Sequence, residues 1–480
     1  MRKLVMAGWW LALVMASVRV AAAAEEPAVE PLSLLLEDAI ELALEHNLEL
    51  ARGALEVQGA ELARRQAVEA ARGLRVSPEG SAGTGSDGRD WRAGLRAEAV
   101  GPAGTRLAVT GGMREIDLKH ADEARRGEAR VEVTQPLFRQ FGALVRDEPA
   151  VAASETLMAA RRAWERDRSR LVLQVVEMYE GLVFRRRQIE RDEALAARLE
   201  GLAALADARE QQGRAARTEV LRLDLQRGEA EARLEANRSR LEIALQEFAN
   251  ALGLPLDSVF LLRAPPLLEL ELTGPEQALA VALAERPDYA QALYDIQTGN
   301  RQARLARRGL LPDLSVTARH SLHGEGGAWS DAGRLDQDEW FVGVAADMNL
   351  NQREARLAVA RSEVEVESRR QVAEIVRRRL ALEVNGARAA YLRARAELEL
   401  ARRNRELAVN RAELARALFE AERGLADAVS DAEADLSSAD LAELAAQQEA
   451  SVSAYRLLHV LGTLIPAPRE LLAEQSGAVP

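Results

Sequence analysis

The chain has 480 residues, 76 of them acidic and 64 basic, for a formal charge of −12, and contains no cysteine. Disulfides, thiolate metal sites, a cysteine nucleophile and the acylated N-terminal cysteine of a bacterial lipoprotein are thereby excluded, and the acidic balance argues against nucleic acid as a partner. Alanine, leucine, glutamate and arginine dominate while aromatic residues make up 4%, a composition that favours long helices and coiled coils over a large globular core.

Arg2 and Lys3 precede an apolar run from Leu4 to Val18 and the small residues Ala21 to Ala24. Residues 1–24 therefore read as a secretory signal peptide. No later run approaches the ~18 to 20 apolar residues of a transmembrane helix, so a membrane role would fall to strands or a surface helix. The segment Glu37 to Glu45 opens a helical pattern. From about residue 75 the period changes from helical to two: Trp91, Ala93, Leu95 and Ala97 alternate with Arg92, Gly94, Arg96 and Glu98, and Val131 and Val133 alternate with Glu132 and Thr134. These are strands with one apolar and one polar face.

Proline is absent from Ala150 to Leu254 and again from Asp313 to Ile465. An interior proline costs a helix about 3 kcal/mol, so these windows permit very long helices. Ala150 to Gln211, if continuous, would run roughly 90 Å at about 1.5 Å per residue. Apolar residues step by three and four at Leu195, Leu199 and Leu202, and by strict sevens at Leu400, Leu407, Leu414 and Ala421, which predicts coiled-coil packing. The windows break at Gln211-Gln212-Gly213 and at Arg423-Gly424, with Thr218 and Ser430 as candidate caps of the returning helices. Between the windows, Leu314, Val316 and Ala318 form a second alternating segment, followed by a predicted loop from His323 to Asp336 and a third segment from Trp340 to Met348.

The two halves share a plan. Glu37 to Glu45 recurs as Glu276 to Ala284, Val57-Gln58 as Ile296-Gln297, Gly213 as Gly424, and the helices close on Leu252-Gly253 and Leu461-Gly462. The chain therefore divides into a first structural repeat, 32–262, with strands at about 75–138 and a helical turn near 213, and a second, 272–465, with strands at about 312–350 and a turn near 424. A C-terminal tail covers 466–480. Period alone leaves a soluble β-sandwich face open. Two strand pairs cannot close a barrel, however, and an open edge is not tolerated in lipid, so membrane-spanning strands would need several chains to share one barrel.

This pattern resembles the TolC family of outer-membrane efflux proteins over nearly the whole mature chain. The resemblance is carried by the paired openings at Glu37 and Glu276, by Leu310-Leu311-Pro312-Asp313-Leu314, by Thr134-Gln135-Pro136-Leu137-Phe138, and by the turns Gly213 to Leu221 and Gly424 to Ala432. It implies a homotrimer, mainly α with membrane β: duplicated helix-strand-helix units forming a trimeric α-helical barrel capped by a shared transmembrane β-barrel, with four strands per chain and twelve in all. It implies a passive exit duct in the outer membrane, its large remainder in the periplasm, serving a tripartite efflux pump or a type I secretion system together with a periplasmic adaptor and an inner-membrane transporter. The tips at Gly213 and Gly424 would face the adaptor and form a gate. The sequence departs from the family at Ser430, where an acid is usual, at Met348-Asn349-Leu350-Asn351, where a Pro-Leu-aromatic motif is usual, and in the length of the first strand region. There Gly101-Pro102-Ala103-Gly104 reads as an additional turn and leaves the strand count open.

Reactive chemistry is not apparent. Gly83-Thr84-Gly85-Ser86-Asp87-Gly88 matches G-x-G-x-x-G, but a strand pattern follows it, so a loop is expected and no cofactor. His320 and His323 are expected in a surface loop and no metal site is predicted. The basic runs 185–187 and 377–379 sit among acids and read as solvated helix faces. Asp427 and Asp431 would share a helix face and, repeated in a trimer, form an acidic ring; Arg214 and Arg217 beside Glu219 would form inter-subunit ion pairs closing the tip. The competing reading is a periplasmic coiled-coil scaffold or adaptor with a soluble β domain. Adaptors generally carry one helical hairpin, whereas two helix-strand-helix units are present here.

Overall fold

The computed structural model describes residues 32–471 except 86–87, 119–123, 214–215, 422 and 424–425. The predicted signal peptide and most of the predicted tail lie outside the described residues. The first half runs β1 (Leu32–Leu34), α1 (Leu36–His46), α2 (Leu48–Arg72), four strands β2 (Arg75–Gly85), β3 (Gly88–Val100), β4 (Arg106–Leu118) and β5 (Ala124–Pro136), a single turn α3 (Ala143–Arg146), the long helices α4 (Glu148–Gln211) and α5 (Arg217–Leu252), and β6 (Phe260–Leu262). The second runs α6 (Pro275–Glu285), α7 (Pro287–Arg308), β7 (Asp313–Gly326), a turn α8 (Trp329–Ala332), β8 (Gln337–Asp347), α9 (Arg353–Glu420) and α10 (Ala426–Leu461).

The first proline-free window holds the long helices α4 and α5, and the second holds β7 and β8 followed by α9 and α10. With 64 residues α4 spans roughly 95 Å, and α9 with 68 residues slightly more. Nearer the strands the helices lie in the order α2, α4, α7, α9; towards the opposite end the order is α5, α4, α10, α9. At mid-height the packing is densest. Tyr179, Phe248 and Phe260 are fully buried with edge-on ring contacts, and the Tyr179 hydroxyl lies 2.9 Å from the Leu34 carbonyl and accepts from the Arg263 N–H at 3.1 Å. In α9, Tyr391 is likewise buried and accepts from the Leu270 N–H at 2.9 Å. Asn47 ties the first half together: its Oδ1 accepts from Leu50 N to cap α2, while its Nδ2 donates to the Ala251 carbonyl, both at 2.9 Å.

Two sheets form. β1 pairs in parallel with β6, and the other six strands make one antiparallel sheet in the order β2-β3-β4-β5-β7-β8. The open strand count is thus resolved as four in the first half and two in the second, and the four-strand expectation is corrected to six. The turn at Gly101 to Gly104 is the reason. Gly104, at φ 84, donates to the Gly101 carbonyl at 3.0 Å and reverses the chain between β3 and β4. Within the six-stranded sheet only β2, β5, β7 and β8 connect to the long helical segments; β3 and β4 are a hairpin inserted between β2 and β5.

Some local expectations change. The loop predicted from His323 starts later, because β7 continues to Gly326. His320 and His323 are strand residues opposite Val131 and Glu128, not loop residues, since the ladder with β5 outlasts the apolar alternation. Gly83 to Gly85 end β2 and Gly88 begins β3, so the glycine motif is mostly strand instead of loop. The Leu400, Leu407, Leu414 stripe is not packed within the chain: these side chains are 58%, 67% and 61% exposed. α9 meets α10 through Leu398, Ala412 and Phe419, where small residues allow close approach, and the leucine heptad is left on the other side.

Candidate functional site

The helical tip lies between α4 and α5 and between α9 and α10. Gly213 ends the first crossing at φ 71 with its N–H on the Glu210 carbonyl at 2.8 Å, a left-handed conformation that disfavours any side chain. Arg214 and Gly424 lie outside the described residues. Thr218 and Ser430 are not helix caps. Ala216 occupies the N-cap of α5, so Thr218 falls in the first turn, and α10 starts before Ser430. Ser430 is buried and donates to Gln226 Oε1 at 2.5 Å, joining α10 to α5. Asp431 meets Arg222 at 3.2 Å, also across to α5. Asp427 and Asp431 both belong to α10, and Arg217 and Glu219 both to the first turn of α5.

Sequence reasoning missed the seam behind the tip. Glu433 on α10 is 1% exposed and sits between Arg198 of α4, whose Nε is 3.0 Å away, and Arg416 of α9. One heptad further along, Asp440 is also buried, 2.6 Å from Arg405 of α9 and 3.5 Å from Arg191 of α4. The hydrogen bond to Asp440 holds the Arg405 guanidinium above its ordinary pKa. Arg191 and Arg198 repeat the same heptad in the antiparallel direction. α10 is therefore an acidic spline gripped on both sides by arginine, and it joins the α4–α5 hairpin to the α9–α10 hairpin. Charge alone could not identify the seam; matched heptads of acid and arginine on two helices could have.

At the other end, the sheet has two chemically distinct faces. Trp91, Leu95, Leu107, Val109, Val131 and Val344 share one, and all but Trp91 are among its exposed large apolar side chains. The other carries paired charges: Arg114 with Asp90 at 2.9 Å, Arg96 with Glu98 at 2.6 Å, and Arg126 with Glu325 at 3.1 Å. Aromatic residues bracket the apolar face. Trp91 and Trp329 meet near the distal turns, their ring centres 5.1 Å apart and their planes tilted by 43°, and Phe138 and Phe141 are exposed where β5 leaves for the helices. An apolar band between aromatic girdles, backed by a polar face, is the surface of a lipid-embedded barrel strand.

Residues 278–463 match the family described as outer membrane efflux protein. The chain is similar to this family over that segment. Among solved structures, its fold is similar to the outer-membrane channel OprN, at TM-score 0.69 and 18% identity over 89% of each chain. It is similar to the outer membrane protein VceC of Vibrio cholerae, at TM-score 0.68 and 16% identity over 89% of this chain and 96% of that one. The open state of the MtrE outer membrane channel of Neisseria gonorrhoeae matches at TM-score 0.67 and 15% identity, over 90% of each. No curated protein matches by sequence. The family match falls on the second half, while the fold likeness spans both. Among the described residues no helix is long and apolar enough to cross a membrane, and no group of three or more His, Asp or Glu side chains could hold a metal ion.

One buried acid of the chain yields a pH prediction. Burial pushes the Glu180 carboxyl of α4 above its ordinary range, opposed by the hydrogen bond from Ser451 of α10 and by the charge of Arg187. A carboxyl with a raised folded pKa costs nothing below its unfolded pKa, and its destabilisation grows as pH rises towards the folded value. Glu180→Gln, which keeps an acceptor for Ser451, is expected to raise stability by about 1 kcal/mol at neutral pH and to match the natural chain in acid. Thermal melts at both pH values check it; an equal or lower melting temperature for the variant at neutral pH contradicts the sign.

Proposed function

We propose that this protein is the outer-membrane exit duct of a tripartite efflux pump, a passive conduit that carries out no chemistry of its own. The observation that carries the reading is the sheet at one end of helices roughly 95 Å long, apolar and exposed on one face and charged on the other. In lipid the apolar face meets acyl chains and the charged face lines water. The match of residues 278–463 to the efflux family and the whole-chain likeness to outer-membrane channels support it. The duct assembles as a homotrimer and meets a periplasmic adaptor and an inner-membrane transporter at the helical tip. Gly213, Arg214, Arg217, Thr218 and Glu219 on one turn, and Gly424, Asp427, Ser430 and Asp431 on the other, are the proposed contact and gate residues. The two halves, 32–262 and 272–465, are proposed as repeats of one ancestral unit. Tyr179 and Tyr391 pin equivalent extended segments, and Gly253 and Gly462 end equivalent helices in left-handed conformations.

Trimerisation is supported by apolar side chains that the described residues leave exposed. Leu357, Val364, Leu382 and Leu407 line the free side of α9, and Leu55 and Leu62 that of α2, all strongly exposed. These are the outermost helices of the layer, and a neighbouring copy would bury both stripes. The test is single-channel conductance of the purified mature protein in a planar bilayer, with its mass in detergent by light scattering. Discrete conductance steps from a trimer are expected. A water-soluble monomer or dimer that never inserts would refute the duct and favour a periplasmic coiled-coil scaffold.

A further inference from the structure

We infer that the barrel of this protein closes by antiparallel pairing of β2 from one subunit with β8 of the next, and that a trimer therefore builds one barrel of eighteen strands instead of the twelve that the family resemblance implies. The inference rests on the channel reading and concerns how the wall is completed.

The sheet has six strands and ends on β2 and β8. A six-stranded sheet is too small to close on itself, since the smallest membrane barrels need about eight strands. Left open in lipid, each edge strand would expose unpaired N–H and C=O groups at several kcal/mol each. Three properties make the two edges complementary. Each is an 11-residue strand. Because all neighbours in the sheet are antiparallel and the strand number is even, β2 rises from the helices while β8 returns to them, so the two meet antiparallel. Their faces agree as well. On β2 the even positions Val76 and Ala82 share the Trp91 side, and on β8 the even positions Trp340, Val342 and Val344 share it, so any register that pairs even with even keeps the lipid face continuous. Pro78 removes one N–H from β2 and leaves the rest of its edge intact.

The helices tell the same story below the sheet. β2 follows α2 and β8 precedes α9, and these are the two edge helices of the layer, each with an exposed apolar stripe. Further down, α5 replaces α2 at the edge and again exposes Leu221, Leu225 and Ile243. One subunit boundary thus runs the length of the molecule, α5 to α2 to β2 on one side and β8 to α9 on the other. The β3–β4 hairpin lies in the middle of the sheet, so it widens the barrel without altering that boundary. At a strand spacing of about 4.8 Å and a tilt of about 40°, eighteen strands give a backbone diameter of about 36 Å against about 24 Å for twelve. The membrane portion would then hold a broad aqueous channel of porin-like strand number.

The absence of cysteine makes the seam directly testable. Ala82→Cys is combined in turn with Asp338→Cys, Trp340→Cys, Val342→Cys or Val344→Cys in the full chain, and each protein is oxidised in outer-membrane fractions. At least one of these same-face pairs is expected to shift the band from one chain mass to two and three, while Ala82→Cys with Phe341→Cys, on opposite faces, stays at one. A reconstruction of the detergent-purified protein by electron cryo-microscopy should count eighteen strands. A conducting trimer with twelve strands, or with no even pair cross-linking, overturns the β2–β8 seam and leaves the duct standing. A protein that neither trimerises nor conducts overturns both.

Discussion

Replacing Gly253 by alanine is expected to destabilise the protein by about 2–4 kcal/mol, and Gly462→Ala by somewhat less. Gly253 ends α5 at φ 71, where a side chain costs about 1–2 kcal/mol by crowding the following carbonyl. The larger part is a close approach. A Cβ at Gly253 would overlap the His46 carbonyl at the end of α1, which is backbone inside a packed junction and cannot swing away. At Gly462, φ is 79 and the added Cβ would lie 2.9 Å from the Glu285 carbonyl at the end of α6, a milder clash of the same kind. Both glycines let a returning long helix stop against the end of a short one, beside the buried Phe248 and Leu252 in the first half. Gly228, inside α5 with open space around its Cβ position, is the internal control: alanine there should stabilise by up to about 1 kcal/mol through helix propensity. Thermal unfolding of the purified proteins reads all three. Equal melting temperatures for Gly253→Ala and the natural chain would mean that α5 does not end against α1 as described.

These glycines were legible in the sequence as Leu-Gly endings, because a helix stop is a local event with a local signature. The strands around Trp91 and the helix that ends at Gln211 were legible for the same reason, the first from period two and the second from the absence of proline. What stayed hidden depended on partners far away in the chain. The pairing of β5 with β7, which joins the halves into one sheet, has no trace in either segment alone. The Leu400, Leu407, Leu414 heptad marked an apolar stripe but not what covers it, and the structure places α10 on the opposite face. Thr218 and Ser430 had the right chemistry for caps, yet the helices begin before them. At the tip, Arg217 and Glu219 drew attention by their position beside a glycine. Glu433 and Asp440 have no local signature in the sequence, because their burial is conferred by α4 and α9, not by their own neighbours.

That hidden seam carries the other large effect. Removing Arg198 or Arg416 singly by alanine is expected to cost about 1 kcal/mol, since each guanidinium is partly exposed and the other still holds Glu433. Removing both should cost about 3 kcal/mol or more, well above the sum, because a carboxylate that is 1% exposed then loses both of its arginine partners among the described residues. The strain is relieved by protonation of Glu433 or by letting water reach it, and the second route separates α10 from α4 and so parts the two hairpins at the helical tip. In the proposed duct this lowers the resistance of the closed end, and the double variant should show a larger single-channel conductance than either single one. Adding Glu433→Gln to the double variant removes the charge that drives the separation. Stability should then return to within about 1 kcal/mol of the natural chain, and conductance should fall back with it. This rescue distinguishes a charge-dependent latch from a merely loosened helix pair: if the triple variant stays as unstable and as conductive as the double, the arginines act through packing of their aliphatic stems and the pairing with Glu433 does not hold the tip.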